Sequence, residues 1–117
     1  MSGRPDRALG YNMAWLVLVL AGLFEVVWAF AMKKSDGFTL LVPSTITIVF
    51  MLLSFALLSW AMKSLPLGTA YTVWTGIGAV GSFIVGIVIL QEPVNAMKML
   101  AAVMIVAGLV LMKIASP

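Results

Sequence analysis

Residues 22–29 read Gly22-Leu23-Phe24-Glu25-Val26-Val27-Trp28-Ala29, and this stretch decides how the whole chain is understood. It lies inside an apolar run from Met13 to Met32, in which Glu25 is the one charged residue. A helix rises about 1.5 Å per residue, so this run is long enough to cross a hydrocarbon layer of about 30 Å. A carboxylate at the centre of a membrane helix costs at least about 2.5 kcal/mol by insertion scales. Because of that cost, we expect Glu25 to have a function, as a site for protons and cations.

The composition indicates a membrane protein. The chain has 117 residues, of which 63% are hydrophobic and 9% are charged, whereas soluble domains are about 45–50% apolar and about 25% charged. Cysteine and histidine are both missing from the sequence, which removes the usual thiolate and imidazole metal ligands and the commonest catalytic base. We therefore expect no metal, no cofactor and no enzymatic activity. The net charge of +3 is spread over helix ends without a basic patch, so nucleic acid is not an expected partner.

Four apolar segments predict an all-α membrane protein with four transmembrane helices and very short loops. A polar stretch, residues 1–12, precedes them and is expected to be a flexible N-terminal extension. Residues 13–116 then form one transmembrane transporter domain. The predicted helices cover residues 13–32, 40–62, 67–90 and 94–114.

The charges near the helix ends give almost no preferred orientation in the membrane. Four spans place both termini on one side, and the positive-inside rule compares the basic residues of the two sides. The terminal side carries Arg4, Arg7, Lys63 and Lys113, and the other side carries Lys33, Lys34 and Lys98. Either other features override a weak signal, or both orientations are made and two copies pair antiparallel. The second interpretation would supply the inverted repeat that many transporters use, and we expect a homodimer embedded in the lipid bilayer.

The residues around Glu25 favour a binding site on the first helix. Ala21, Gly22, Trp28 and Ala29 share its helical face, because residues three or four apart are neighbours. The indole N–H of Trp28 can donate to a carboxylate, and an apolar environment favours the neutral, protonated form of an acid. The alternative is that Glu25 bonds a neighbouring group and only fixes helix packing.

Polar and aromatic residues on the next two helices are further candidates. Ser54 lies near the middle of the second helix, although a serine in such a helix often bonds its own backbone. Tyr71 and Trp74 share a face of the third helix and could flank a cation, and the Tyr71 hydroxyl could reach Glu25 or a substrate. Taken alone, both rings could instead be interface anchors.

The third helix is rich in glycine, which costs about 1 kcal/mol relative to alanine in a helix. Gly76, Gly78, Gly81 and Gly86 therefore suggest a kink or a sliding surface, with close packing as the simpler alternative. Residues 76–81 also match the dinucleotide pattern G-x-G-x-x-G. We reject that match because no strand precedes it and it lies inside an apolar helix.

The fourth helix carries small residues at a regular spacing. Ala101 and Gly108 are seven positions apart and so lie on one face. Small residues at such spacing allow membrane helices to approach closely. We assign this face to packing between the two copies of a dimer.

These residues together resemble the small multidrug resistance family of four-helix exporters. The resemblance covers about Met13 to Ser116 and is most specific in residues 22–28, in Lys33 and in residues 68–78. The position of Trp28, Ser54 and the pair Glu92-Pro93 resemble the guanidinium-exporting branch more than the branch that exports quaternary ammonium drugs.

The resemblance implies an antiparallel, dual-topology homodimer that exchanges protons for guanidinium ions across a cytoplasmic membrane. Glu25 would be the carboxylate shared by proton and substrate, and Trp28 and Ser54 would orient it. Tyr71 and Trp74 would line the site, and Gly22 would leave room beside it.

Chemistry also favours guanidinium, because this planar ion matches a carboxylate through two parallel N–H···O bonds. Three alternatives stay open: an exporter of quaternary ammonium ions, a non-transporting membrane subunit that binds a partner helix through Glu25, and a simple cation pore.

Overall fold

The structure, a computed structural model, describes the backbone of residues 5–116 and the side chains of residues 10–116. Over this range its regular secondary structure consists of four α-helices, and each contains a segment long and apolar enough to cross a membrane. The prediction of an all-α membrane protein with four spans is therefore confirmed. The helices are α1 (Pro5–Lys34), α2 (Leu41–Ala61), α3 (Leu67–Val88) and α4 (Ala96–Ala115).

The helix boundaries differ from the prediction mainly at the N-terminus. Helix α1 begins at Pro5 rather than at Met13, since a proline in the first helical turn lacks only an N–H that would have no partner there. The polar residues that follow it continue the helix. Residues 1–4 lie outside the described range, and the flexibility expected of residues 1–12 stays a prediction. Helix α4 begins at Ala96, where the Asn95 side chain accepts a hydrogen bond from the Lys98 backbone N–H at 2.9 Å.

Helices α1, α2 and α3 form the packed part of the molecule, with α1 against both of the others. Small residues bring their backbones together, because Ala14, Ala21, Ala61 and Ala70 are completely buried. Lipid tails are as apolar as the side chains, so membrane helices associate through such close van der Waals contacts and through hydrogen bonds.

The glycines on α3 serve this close packing. A Cβ atom on Gly81 would collide with Val26 of α1, and one on Gly76 would collide with Leu109 of α4. Helix α3 runs without a break through all four glycines named above. Of the alternatives considered from the sequence, the structure shows close packing at these positions.

The backbone of helix α4 approaches that of α3 alone, and none of its residues is buried. Ala101 lines a groove between α3 and α4. A Cβ atom on Gly108 would meet nothing within 4 Å. The assignment of Ala101 and Gly108 to dimer packing stays a prediction, and the chain itself leaves the space around Gly108 open.

Candidate functional site

Glu25 lies in α1 where α3 approaches most directly. Its carboxyl group rests on Gly78 of α3, and a Cβ atom at that position would overlap with the carboxyl group. The carboxyl oxygen Oε1 is buried and has no hydrogen-bond partner within the part of the chain that the structure describes. Buried polar groups are nearly always hydrogen-bonded in folded proteins. Oε1 of Glu25 is therefore a buried acceptor that can take a further hydrogen bond. The carboxyl group lies against the backbone of α3 at a position without a side chain.

Trp28 lies one helical turn beyond Glu25 and has the complementary property. Its indole Nε1 is also buried and without a partner among the described residues. The hydrogen bond expected from Trp28 to Glu25 is not formed in this structure. A donor and an acceptor, each without a partner, thus stand one turn apart on the same helix, and both can bind a further group.

Ser54 connects the three packed helices. It is completely buried on α2, and its hydroxyl donates to the Ala21 carbonyl of α1 at 2.7 Å. The Trp74 indole of α3 donates to the same hydroxyl at 2.9 Å. Ser54 therefore bonds neither its own helix nor Glu25, which were the two expectations from the sequence. Because Ala21 lies one turn before Glu25, this pair of bonds sets the positions of α1 and α3 beside the carboxylate.

Four aromatic rings form a continuous series beside these bonds, which we call the aromatic ladder: Tyr71, Trp74, Phe55 and Trp28. Successive ring centroids are 5.4, 5.7 and 6.3 Å apart, and the tilted and edge-on geometries are those that aromatic pairs prefer. Trp74 is buried, whereas Tyr71 is 52% exposed. The structure thus joins Tyr71, Trp74 and Trp28 as one unit, which the sequence could not do.

Phe55 is a member of the ladder that sequence reasoning missed. It is one of several apolar residues on α2 and has no polar atom to mark it. The one available signal was its place directly after Ser54.

Gly22 packs against α3, and Gly78 is the glycine that contacts the Glu25 carboxyl group, while the role of Gly22 beside the site stays a prediction. A Cβ atom on Gly22 would lie 2.6 Å from Cγ2 of Ile77, so Gly22 makes room for α3 to pack. Gly78 is the glycine that makes room for the Glu25 carboxyl group. It had been assigned only to a kink, a sliding surface or close packing.

Four helices that can each span a membrane define a multi-pass membrane protein, and three of them carry the Glu25 carboxyl group, the buried Ser54 and the aromatic ladder. Among the described residues, no group of three or more His, Cys, Asp or Glu side chains could hold a metal ion. Residues 13–106 match the family model described as Small Multidrug Resistance protein. The chain belongs to this family, and the resemblance drawn from the sequence is confirmed.

Several curated relatives carry the name Guanidinium exporter. The one from Escherichia coli (strain K12) is 55% identical over 104 residues, which cover 89% of this chain and 99% of the relative. Those from Citrobacter freundii and Salmonella typhimurium are 54% identical with the same coverage. The similarity thus extends over all four helices and includes every predicted site residue from Gly22 to Trp74.

Proposed function

We propose that this protein is a proton-coupled exporter of guanidinium ion and small guanidinyl compounds across the cytoplasmic membrane. The name of its relatives supports the substrate, at 55% identity over nearly the whole chain. One structural observation carries the proposal for the site: the Glu25 carboxyl group, buried in part against Gly78, has an oxygen without a partner in the described chain.

The chemistry of the site suits a guanidinium ion. A carboxylate accepts two parallel N–H bonds from such an ion, and removal of the opposing charge by a proton would release it. We assign Glu25 to proton and substrate binding, with Trp28 and Tyr71 lining the site. Ser54 and Trp74 position the site indirectly, because their hydrogen bonds hold the helix that carries Glu25.

An exporter of quaternary ammonium ions is the second candidate. These ions have no N–H group and are bound by aromatic faces, and the aromatic ladder is the observation that favours them. A larger response to guanidinium than to tetraethylammonium in the same membranes would distinguish the first candidate from the second.

The working unit we propose is an antiparallel homodimer with both Glu25 side chains facing one cavity. Two features support it: α4 has no buried residue in the single chain, and the basic residues divide almost evenly between the two sides of the membrane. Protons and guanidinium compete for the two carboxyl groups. When these groups are neutralised, the dimer changes conformation and its cavity opens to the other side of the membrane. A proton gradient then drives export.

The experiment is transport by purified protein in liposomes, with guanidinium, tetraethylammonium and a proton gradient. We expect Glu25→Gln to reduce coupled guanidinium transport to background, because the amide keeps the size of the side chain but cannot bind and release a proton. Asp36→Asn is the matched control, since it also replaces one acid by its amide, in the connection between α1 and α2, and it should transport normally.

Size-exclusion chromatography of both variants checks that they remain folded. Full activity of Glu25→Gln would refute the site. Guanidinium flux without proton exchange would indicate a pore, and no transport by the unmodified protein would indicate a non-transporting subunit.

A further inference from the structure

A second polar cluster lies far from Glu25, where the ends of α1 and α4 meet. The Lys113 ammonium of α4 is 4.7 Å from the centroid of the Trp15 ring and 5.9 Å from that of the Tyr11 ring, both on α1. These contacts join two helices whose backbones do not approach each other. The transport site uses none of these three residues.

Trp15 and Lys113 of this cluster also line an apolar groove between α1 and α4, which we call the α1–α4 groove. Its volume is about 520 Å³. Its polar lining residues are Asn12 and Lys113, near one end of the helices, and its apolar lining includes Leu16 of α1, Val110 of α4 and Ile77 of α3. Leu16 is 66% exposed and Val110 is 53% exposed, so the groove faces outward from the bundle and toward lipid.

The charge of Lys113 is not balanced by any acid whose side chain the structure describes. Asp36 and Glu92 lie in connections at the opposite end of the helices. Glu25 is about 15 Å further along α1 than Trp15, at about 1.5 Å of rise per residue. Among the side chains that the structure describes, no carboxylate would compete with the Lys113 ammonium for an anion at this end of the groove.

Two hydrogen-bond donors beside Lys113 are also without partners in the described chain. They are the Trp15 indole Nε1 and the Tyr11 hydroxyl, and both atoms are buried. Trp15 as a whole is only 8% exposed. The Lys113 ammonium lies over both rings, so the ammonium and the two buried donors form one polar cluster.

We propose that the α1–α4 groove binds one anionic phospholipid, with its phosphate on Lys113 and an acyl chain along the groove. The groove has the polarity of such a lipid, basic at the membrane surface and apolar below it, and basic pockets between membrane helices are known to select anionic headgroups. This inference does not depend on the transported substrate.

Native mass spectrometry of the full chain tests the proposal, with equal amounts of dioleoylphosphatidylglycerol and dioleoylphosphatidylcholine in the detergent. We expect the unmodified protein to retain phosphatidylglycerol severalfold over phosphatidylcholine. Lys113→Gln should bring this ratio close to one. Lys63→Gln, which removes a lysine on the same side of the membrane but outside the groove, should keep the preference.

A second variant separates the groove from the surface charge. Val110→Trp fills the side of the groove with a large ring, keeps Lys113 and should reduce the retention of phosphatidylglycerol. Equal retention of the two lipids by the unmodified protein would overturn the proposal, as would equal losses in Lys113→Gln and Lys63→Gln. Loss of the dimer mass with unchanged lipid retention in Val110→Trp would assign the groove to a second copy instead.

Discussion

Helices α1–α3 and helix α4 are built on different principles. The first three contain every buried side chain of the described helices, whereas α4 contains none. Glu25, Ser54 and the aromatic ladder all belong to the first three. Helix α4 packs on one neighbour through Leu109 against Gly76. The difference teaches that the residues proposed for the site lie on three helices of one chain, while the fourth presents most of its surface to something outside that chain.

The membrane makes such a division possible. Exposure of an apolar helix to lipid costs no free energy. Membrane helices therefore pack together only where close contact or hydrogen bonds stabilise the pair. Both kinds of interaction are present around Glu25. Gly78 allows the Glu25 side chain to contact the backbone of α3, and Ser54 forms hydrogen bonds with two other helices. Helix α4 contacts Gly76 of α3 through Leu109, and among the described residues its side chains make no hydrogen bond to another helix. Substitutions in the two regions should therefore differ in size and in kind.

The largest effect is expected at Gly78, where the three-helix region meets the carboxyl group. In Gly78→Ala the new methyl group would occupy the space of the Glu25 carboxyl, so either the side chain or α3 must move. We expect guanidinium transport to fall at least tenfold, equivalent to about 1.4 kcal/mol or more in the barrier. Initial rates in liposomes measure this.

The matched control is Gly68→Ala, the same change near the start of α3, where a Cβ atom meets nothing within 4 Å. It should transport at the normal rate. If both variants transported alike, the contact between Gly78 and Glu25 would have no role in function.

The next effect is expected at Ser54, as a loss of stability. Ser54→Ala leaves the buried Trp74 indole without its acceptor and removes the donor to the Ala21 carbonyl. We expect the free energy of unfolding in mixed micelles to fall by about 1–3 kcal/mol, the range for a buried donor that loses its partner. Ser59→Ala, at an exposed position on the same helix, should change it by less than about 0.5 kcal/mol. Similar values for the two serines would mean that the bonds between helices do not stabilise the three-helix region.

The sequence was sufficient to predict those features that depend on a single helix. Span length, loop shortness and the exceptional cost of Glu25 in lipid are all read from local composition. The polar residue Ser54 was identified for the same reason, as a hydroxyl deep in an apolar helix. Its partners were not, because hydrogen bonds between helices depend on which faces meet.

The sequence did not show which side of each helix faces the other helices and which side faces lipid. In a soluble helix the apolar stripe marks the packed face, but in α2 and α3 the lipid-facing and helix-facing sides are both apolar. Phe55 therefore looked like any lipid-facing residue, and Gly78 like any of the five glycines on α3. The early start of α1 at Pro5 was missed for a different reason, since polar residues were taken to end the helix where they only end the membrane span.

The smallest effect, and the one that most sharpens the comparison, is expected at Gly108 of α4. Within one chain, Gly108→Ala meets no atom and gains about 1 kcal/mol of helix propensity, so the folded chain should be no less stable. If α4 pairs with a second copy through Ala101 and Gly108, the added methyl group enters that contact. We expect the dimer to dissociate twofold to fivefold more readily, about 0.4–1 kcal/mol. Dilution in lipid, followed by single-molecule counting of subunits, measures the change.

Gly68→Ala is again the control, because it adds the same methyl group at another open position and lies outside the predicted dimer face. A weaker dimer in Gly108→Ala alone would show that the surface left unburied on α4 is an interface between copies. Equal dimer strength in the two variants would move that contact to another part of the chain. Helix α4 would then face lipid along its whole length, and the α1–α4 groove beside it would be open to the bilayer in both copies.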